Sequence, residues 1–106
     1  MQTILSELST AFQTRDLDGL LALFSTSPIA TYAGSETDET ATGALALRHL
    51  FARLLGRKTI YSFHFPHLIY SEAPGVVWVL GDGEGVETRP HHTAEVFAYR
   101  ITGVLV

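Results

Sequence analysis

The chain has 106 residues, of which 46% are apolar and 17% charged, and a net charge of −4. That balance predicts one folded domain over 1–106 rather than disorder. It lacks the basic stripe that nucleic acid requires, and it disfavours an anionic membrane surface. No cysteine is present, which removes disulfides, thiolate nucleophiles and cysteine-held zinc. With no apolar run of membrane-spanning length and no basic-then-apolar leader, a cytoplasmic protein is expected.

Ile4, Leu5, Leu8, Ala11 and Phe12 recur at helical spacing, predicting a first helix over 3–14. Asp16 is placed to cap a second, whose narrow apolar face is Leu17, Leu20, Leu21 and Phe24. Pro28 forbids its continuation. A short strand is expected over 29–33, and the polar, acidic stretch 34–42 reads as a loop. Thr42 is placed to cap a third helix burying Leu47, Leu50, Phe51 and Leu54, with Gly56 as terminator. Residues 59–70 are rich in aromatic and β-branched types and predict a strand. Pro66 within it implies an edge position or a bulge.

Two long antiparallel strands follow, 76–86 and 91–104, joined by Glu87-Thr88-Arg89-Pro90. Asp82-Gly83 is also a hairpin-turn signal that would split the first of them. The continuous strand is preferred, because glycine at 81, 83 and 85 suits a bent strand packed closely on one side. Alternation groups Trp78, Leu80, Asp82 and Glu84 on one face of the first strand, and His91, Thr93, Glu95, Phe97 and Tyr99 on one face of the second. Taken as the same side of the sheet, they predict a pocket wall of aromatics, acids and a histidine. Val77, Val79, Ala94, Val96 and Ala98 then form the reverse face. Helices first and antiparallel strands after make an α+β fold.

The segment Asp16-Leu17-Asp18-Gly19-Leu20-Leu21-Ala22-Leu23-Phe24 resembles the second helix of the nuclear-transport-factor-2-like (NTF2-like) superfamily, which includes ketosteroid isomerases and SnoaL-type polyketide cyclases. The short strand over 29–33, the cluster Gly34-Ser35-Glu36 and Gly43 have counterparts there as well. The resemblance implies a cone: three N-terminal helices on a curved, mainly antiparallel sheet, around a conical pocket, with homodimerisation through the outer sheet face. It also implies a further strand where this chain stops at Val106, so the expected fold lacks that strand or closes by other means.

The isomerase chemistry does not transfer residue by residue. Leu8 stands where that family has its oxyanion tyrosine, and Thr31 or Tyr32 where it has its base. Glu95 falls on the second oxyanion donor, and Phe97 and Trp78 fall on pocket aromatics. The epoxide-hydrolase arrangement of two acids bridged by arginine has no arginine on the candidate face.

Asp82 and Glu95, enclosed by aromatics, are the candidate proton donor and acceptor, since desolvation favours a neutral carboxyl. His91 is the candidate partner. The alternative places Asp82 in a solvated turn and pairs Glu95 with a nearby base. Trp78, Leu80, Phe97, Tyr99, Tyr32 and His64 are the candidate ligand-binding residues. His91 and His92 point to opposite faces, as do His64 and His67 on a regular strand, so neither a metal nor another cofactor is expected. The expected function is binding of a small apolar organic molecule, extended to acid–base turnover of isomerase, cyclase or hydrolase type. The competing expectation is a dimerising association module without chemistry.

Overall fold

The computed structural model describes residues 2–34 and 38–106. Helix α1 (Gln2–Thr14) is followed by α2 (Leu17–Ala22). The Asp16 carboxylate accepts the Gly19 backbone N–H at 3.0 Å, the N-cap its position predicted. Strand β1 (Thr31–Ala33) then pairs antiparallel with β2 (Thr40–Thr42). The expected loop over 34–42 therefore contains a strand. Its polar side chains suit it, because Thr31 and Thr42 lie opposite and their hydroxyls meet at 2.9 Å.

Thr42 is not the cap of α3 (Ala44–Leu55). Gly43 occupies that position at φ 87, a conformation that favours glycine, and it donates its N–H to the Ala30 carbonyl at 2.9 Å. Of the resemblance's Gly34-Ser35-Glu36 cluster, the last two lie outside the described residues.

The core is built where helical periodicity placed it. Leu47, Leu50, Phe51, Leu54 and Leu55 of α3 are buried, with Phe51 and Leu20 fully enclosed. Phe12 of α1 stands edge-on to Phe51 at 6.4 Å and to Phe63 at 5.6 Å. This ring carries the core from the helices onto the sheet. Ser9, buried one turn before it, accepts the backbone N–H of Phe63 at 2.8 Å and so satisfies a donor on the sheet's edge strand.

The sheet holds β3 (Ile60–Ala73), β4 (Val76–Thr88) and β5 (Glu95–Leu105), antiparallel in that order. The register of β3 against β4 shifts between His64 and His67, so Pro66 sits in a bulge of an edge strand as expected. β4 runs unbroken through Asp82-Gly83, which is the continuous strand rather than the hairpin turn. Helices on one side of a bulged, unclosed antiparallel sheet make the cone-like α+β architecture.

The assignment of faces is corrected by the register. Gly81 pairs with Ile101, Gly83 with Tyr99 and Gly85 with Phe97. Directly opposed residues share a face, so Phe97 and Tyr99 lie with Val77, Val79 and the glycines. Trp78, Leu80, Asp82 and Glu84 lie on the other face, with Val96, Ala98, Arg100 and Val104. The helix-facing side is the glycine side: Val79, Gly81, Gly85 and Phe65 are buried. Bulk explains the choice. A Cβ on Gly85 would enter the Phe97 ring, and one on Gly81 would lie 3.0 Å from Ile101 and Leu68. At Gly83 the obstacle is backbone, the carbonyl of His64 and the Cα of Phe65 at the bulge.

Gly83→Ala is therefore expected to destabilise the domain by about 1–3 kcal/mol, because neither obstacle is a flexible side chain. Urea unfolding of the variant with an unchanged m-value checks this. Wild-type stability in the variant would show that the bulge is not seated on Gly83.

Candidate functional site

The contact between the sheet and the helical layer is built chiefly of rings. On the sheet, Phe63 and Tyr99 are 4.8 Å apart, Phe65 and Tyr99 6.2 Å, and Phe97 and Tyr99 stand edge-on at 5.8 Å. On the other side, Tyr32 of β1 lies 5.0 Å from Phe51 and 6.3 Å from Phe24. Helix α1 covers β3, whereas among the described residues no helix packs broadly on β5. Phe97, Tyr99 and Ile101 are consequently only partly buried although they face inward.

Two arginines on α3 and Arg57, just beyond its C-cap, pair with acids. Arg48 pairs with Asp18 at 3.2 Å, Arg53 with Asp38 at 3.0 Å and Arg57 with Glu39 at 3.8 Å. Arg53 also donates to the Asp38 carbonyl at 2.6 Å, and its hydrogen bond to the carboxylate holds the Asp38 pKa below the usual range. The segment entering β2 is thereby tied to α3.

Glu39 immediately precedes β2, and continued alternation puts its buried side chain on the side of Ala41 and of Tyr32, the cross-strand partner of Ala41. Gly34, whose N–H donates to the Glu39 carbonyl at 2.7 Å, leaves the space that the Glu39 side chain fills. Glu39 is 8% exposed, and its Oε2 has no hydrogen-bond partner among the described residues. Glu39 escaped the sequence reading because its stretch was read as solvated loop. The available signal was the alternation Glu39-Thr40-Ala41-Thr42 following Gly34.

The two inward tyrosines feel that carboxylate. Tyr32 is held well above its ordinary pKa of 10.0, first by burial, then by Tyr99 and Glu39. Tyr99 is raised by burial and then by Glu39. Both phenols stay protonated and remain hydrogen-bond donors throughout the neutral range.

Of the residues predicted from sequence, Tyr32, Phe97 and Tyr99 come together on the inner side. Trp78, Leu80 and His64 are on the outer face, by their register with Val104, Thr102 and Glu84. Asp82 is there too, where Arg100 Nε donates to Oδ1 at 2.6 Å and Nη2 to Oδ2 at 3.3 Å. That hydrogen bond lowers the Asp82 pKa, the reverse of the desolvated carboxyl expected. Glu95 is exposed and pairs with Arg89 at 3.4 Å. His91 lies outside the strand, in the turn before β5, at φ 64. The enclosed hollow expected from Trp78, Asp82, Glu95 and Phe97 is thus divided by the sheet itself.

Two surface hollows lie elsewhere. One of about 690 Å³ runs between α1 and α2 along Thr3, Ser6, Thr10 and Asp16, the last already engaged as a cap. One of about 380 Å³ sits at the β3–β4 turn beside Leu105. Among the described residues no group of three metal-ligating side chains occurs, and no helix is long and apolar enough to cross a membrane.

No family model and no curated protein matches the sequence. Solved structures match the fold. ActVI-ORFA from Streptomyces coelicolor aligns with a TM-score of 0.78 at 16% identity, over 99% of this chain and 81% of that one. A proposed dehydratase of the NTF2-like family from Streptomyces avermitilis aligns with 0.78 at 12%, over 97% and 81%. A proposed calcium/calmodulin-dependent protein kinase type II association domain from Thiobacillus denitrificans aligns with 0.73 at 19%, over 97% and 79%. The chain has the NTF2-like fold.

Raised phenol pKa values have a consequence for stability. A group whose folded pKa exceeds its unfolded value stabilises fully below the unfolded value, and that contribution is lost as pH rises through the folded one. Thermal melts are expected to show stability falling from about pH 10 upward. Tyr32→Phe should reduce that alkaline loss while changing the neutral melting point little. An unchanged alkaline loss would place the Tyr32 hydroxyl in solvent.

Proposed function

We propose that this domain binds a small, mostly apolar, flat organic molecule between the inner sheet face and the β1–β2 layer. The observation that carries this is the incomplete cover over β5: Phe97 and Tyr99 face inward yet are only partly buried. Rings turned inward but not fully covered suit a planar ligand, which gains area burial and ring contact together. The NTF2-like fold is compatible with such a molecule but does not specify it. Titration with 2-methylnaphthalene, followed by chemical-shift changes, is the test. Saturable binding that weakens roughly fivefold in Tyr99→Ala is expected, as for about 1 kcal/mol of ring contact. No saturable binding, or binding indifferent to both Tyr99→Ala and Phe97→Ala, sinks the proposal.

A second copy of the chain is the proposed partner of the outer face. Ile69, Trp78, Val96 and Val104 are 69%, 47%, 62% and 60% exposed there, a larger apolar surface than scattered exposed residues make. Asp82 and Arg100 lie opposite each other on that face, so it carries both charges needed for self-complementary packing about a twofold axis. The same face supports the association-module reading, in which dimerisation is the whole function. Trp78→Glu is expected to convert a dimer to a monomer in light scattering while leaving 2-methylnaphthalene binding intact, since Trp78 is across the sheet from the cleft. A monomeric wild type removes this partner. Binding lost together with dimerisation would mean that the cleft depends on the interface.

A further inference from the structure

We infer that Glu39 is the polar anchor of the cleft and selects ligands that carry a neutral hydroxyl or N–H donor on an otherwise aromatic skeleton. This rests on the aromatic cleft proposed above and specifies its ligand class. Three observations carry it. Glu39 is 8% exposed, and its Oε2 is buried without a hydrogen-bond partner among the described residues. Its other oxygen is held only at ion-pair distance, 3.8 Å from Arg57. Its inward direction is set by the β1–β2 pairing, and Gly34 opposite leaves the room it occupies.

An ionised carboxylate can only accept hydrogen bonds. Left unmet in a low-dielectric interior, an acceptor costs free energy that a donor restores. Tyr32 and Tyr99 lie close enough to Glu39 to sense its charge, and Tyr99 also belongs to the half-open inner face of β5. A flat molecule lying on Phe97 and Tyr99 lies beside Tyr99, a ring that senses the Glu39 charge. A phenolic or enolic O–H aimed at Oε2 satisfies the acceptor. An anionic ligand meets like charge there, offset only in part by Arg57 at 3.8 Å, and is disfavoured.

Three probes of one shape test this: 2-naphthol, 2-methylnaphthalene and 2-naphthoate, titrated at neutral pH by chemical-shift change. The wild type is expected to bind 2-naphthol about tenfold more tightly than 2-methylnaphthalene, the scale of a hydrogen bond to a charged acceptor. That order reverses their hydrophobicities. 2-Naphthoate should bind most weakly. Glu39→Gln should shrink the 2-naphthol preference and relieve the rejection of 2-naphthoate, with 2-methylnaphthalene unchanged. The wild-type comparison reads the anchor even if that variant does not fold. Equal binding of 2-naphthol and 2-methylnaphthalene to the wild type overturns the anchor and leaves the cleft standing. Failure of all three probes to bind overturns both.

Discussion

Everything in this fold turns on one strand face being nearly without side chains. Gly81, Gly83 and Gly85 take alternate positions on the helix-facing side of β4, the middle strand. Rings from both neighbours then lean over it: Phe65 from β3, and Phe97 and Tyr99 from β5. A residue with a Cβ at any of the three would meet a ring, a branched side chain or the bulged backbone of β3. The close approach that results lets aromatics from the two outer strands touch across the middle one, as Phe63 and Tyr99 do at 4.8 Å. The same absence of bulk dictates what the opposite face holds, because a strand with glycine inside carries its large and charged residues outside.

The helical layer meets this sheet unevenly. Phe12 and Ser9 bind α1 to β3, one through ring contact and one through a backbone hydrogen bond. No helix packs broadly on β5 among the described residues. Beside this sheet the β1–β2 pair sets Tyr32 and Glu39, and Arg53 of α3 and Arg57 just beyond it tie the entry to β2. A buried carboxylate thus stands within electrostatic reach of the tyrosines of the inner face. That is an unusual placement, because carboxylates are rarely buried without full hydrogen bonding.

The outer face has a different character. There Asp82 and Arg100 are paired with each other, bidentate and solvent-exposed, an arrangement that contributes little to folding. Around them Ile69, Trp78, Val96 and Val104 leave apolar area uncovered. The inward rings and the exposed apolar patch thus lie on opposite sides of one sheet.

Local signals in the sequence sufficed for much of this. Leu47, Leu50, Phe51 and Leu54 recur at helical spacing and are the buried face of α3; Asp16 caps α2; Pro66 marks the bulge. Each depends on side chains within a few residues, so periodicity and propensity determine it. Which face of β4 lies beside which face of β5 was not determined in that way. Alternation assigns residues to two sets on each strand, and only the cross-strand register joins the sets, placing Gly85 against Phe97 rather than Trp78 beside it. Glu39 depended on tertiary structure for a related reason. A polar stretch reads as loop until a partner strand pairs with it, and the pairing of Tyr32 with Ala41, far more than any property of the glutamate, turned its carboxylate from water toward the rings.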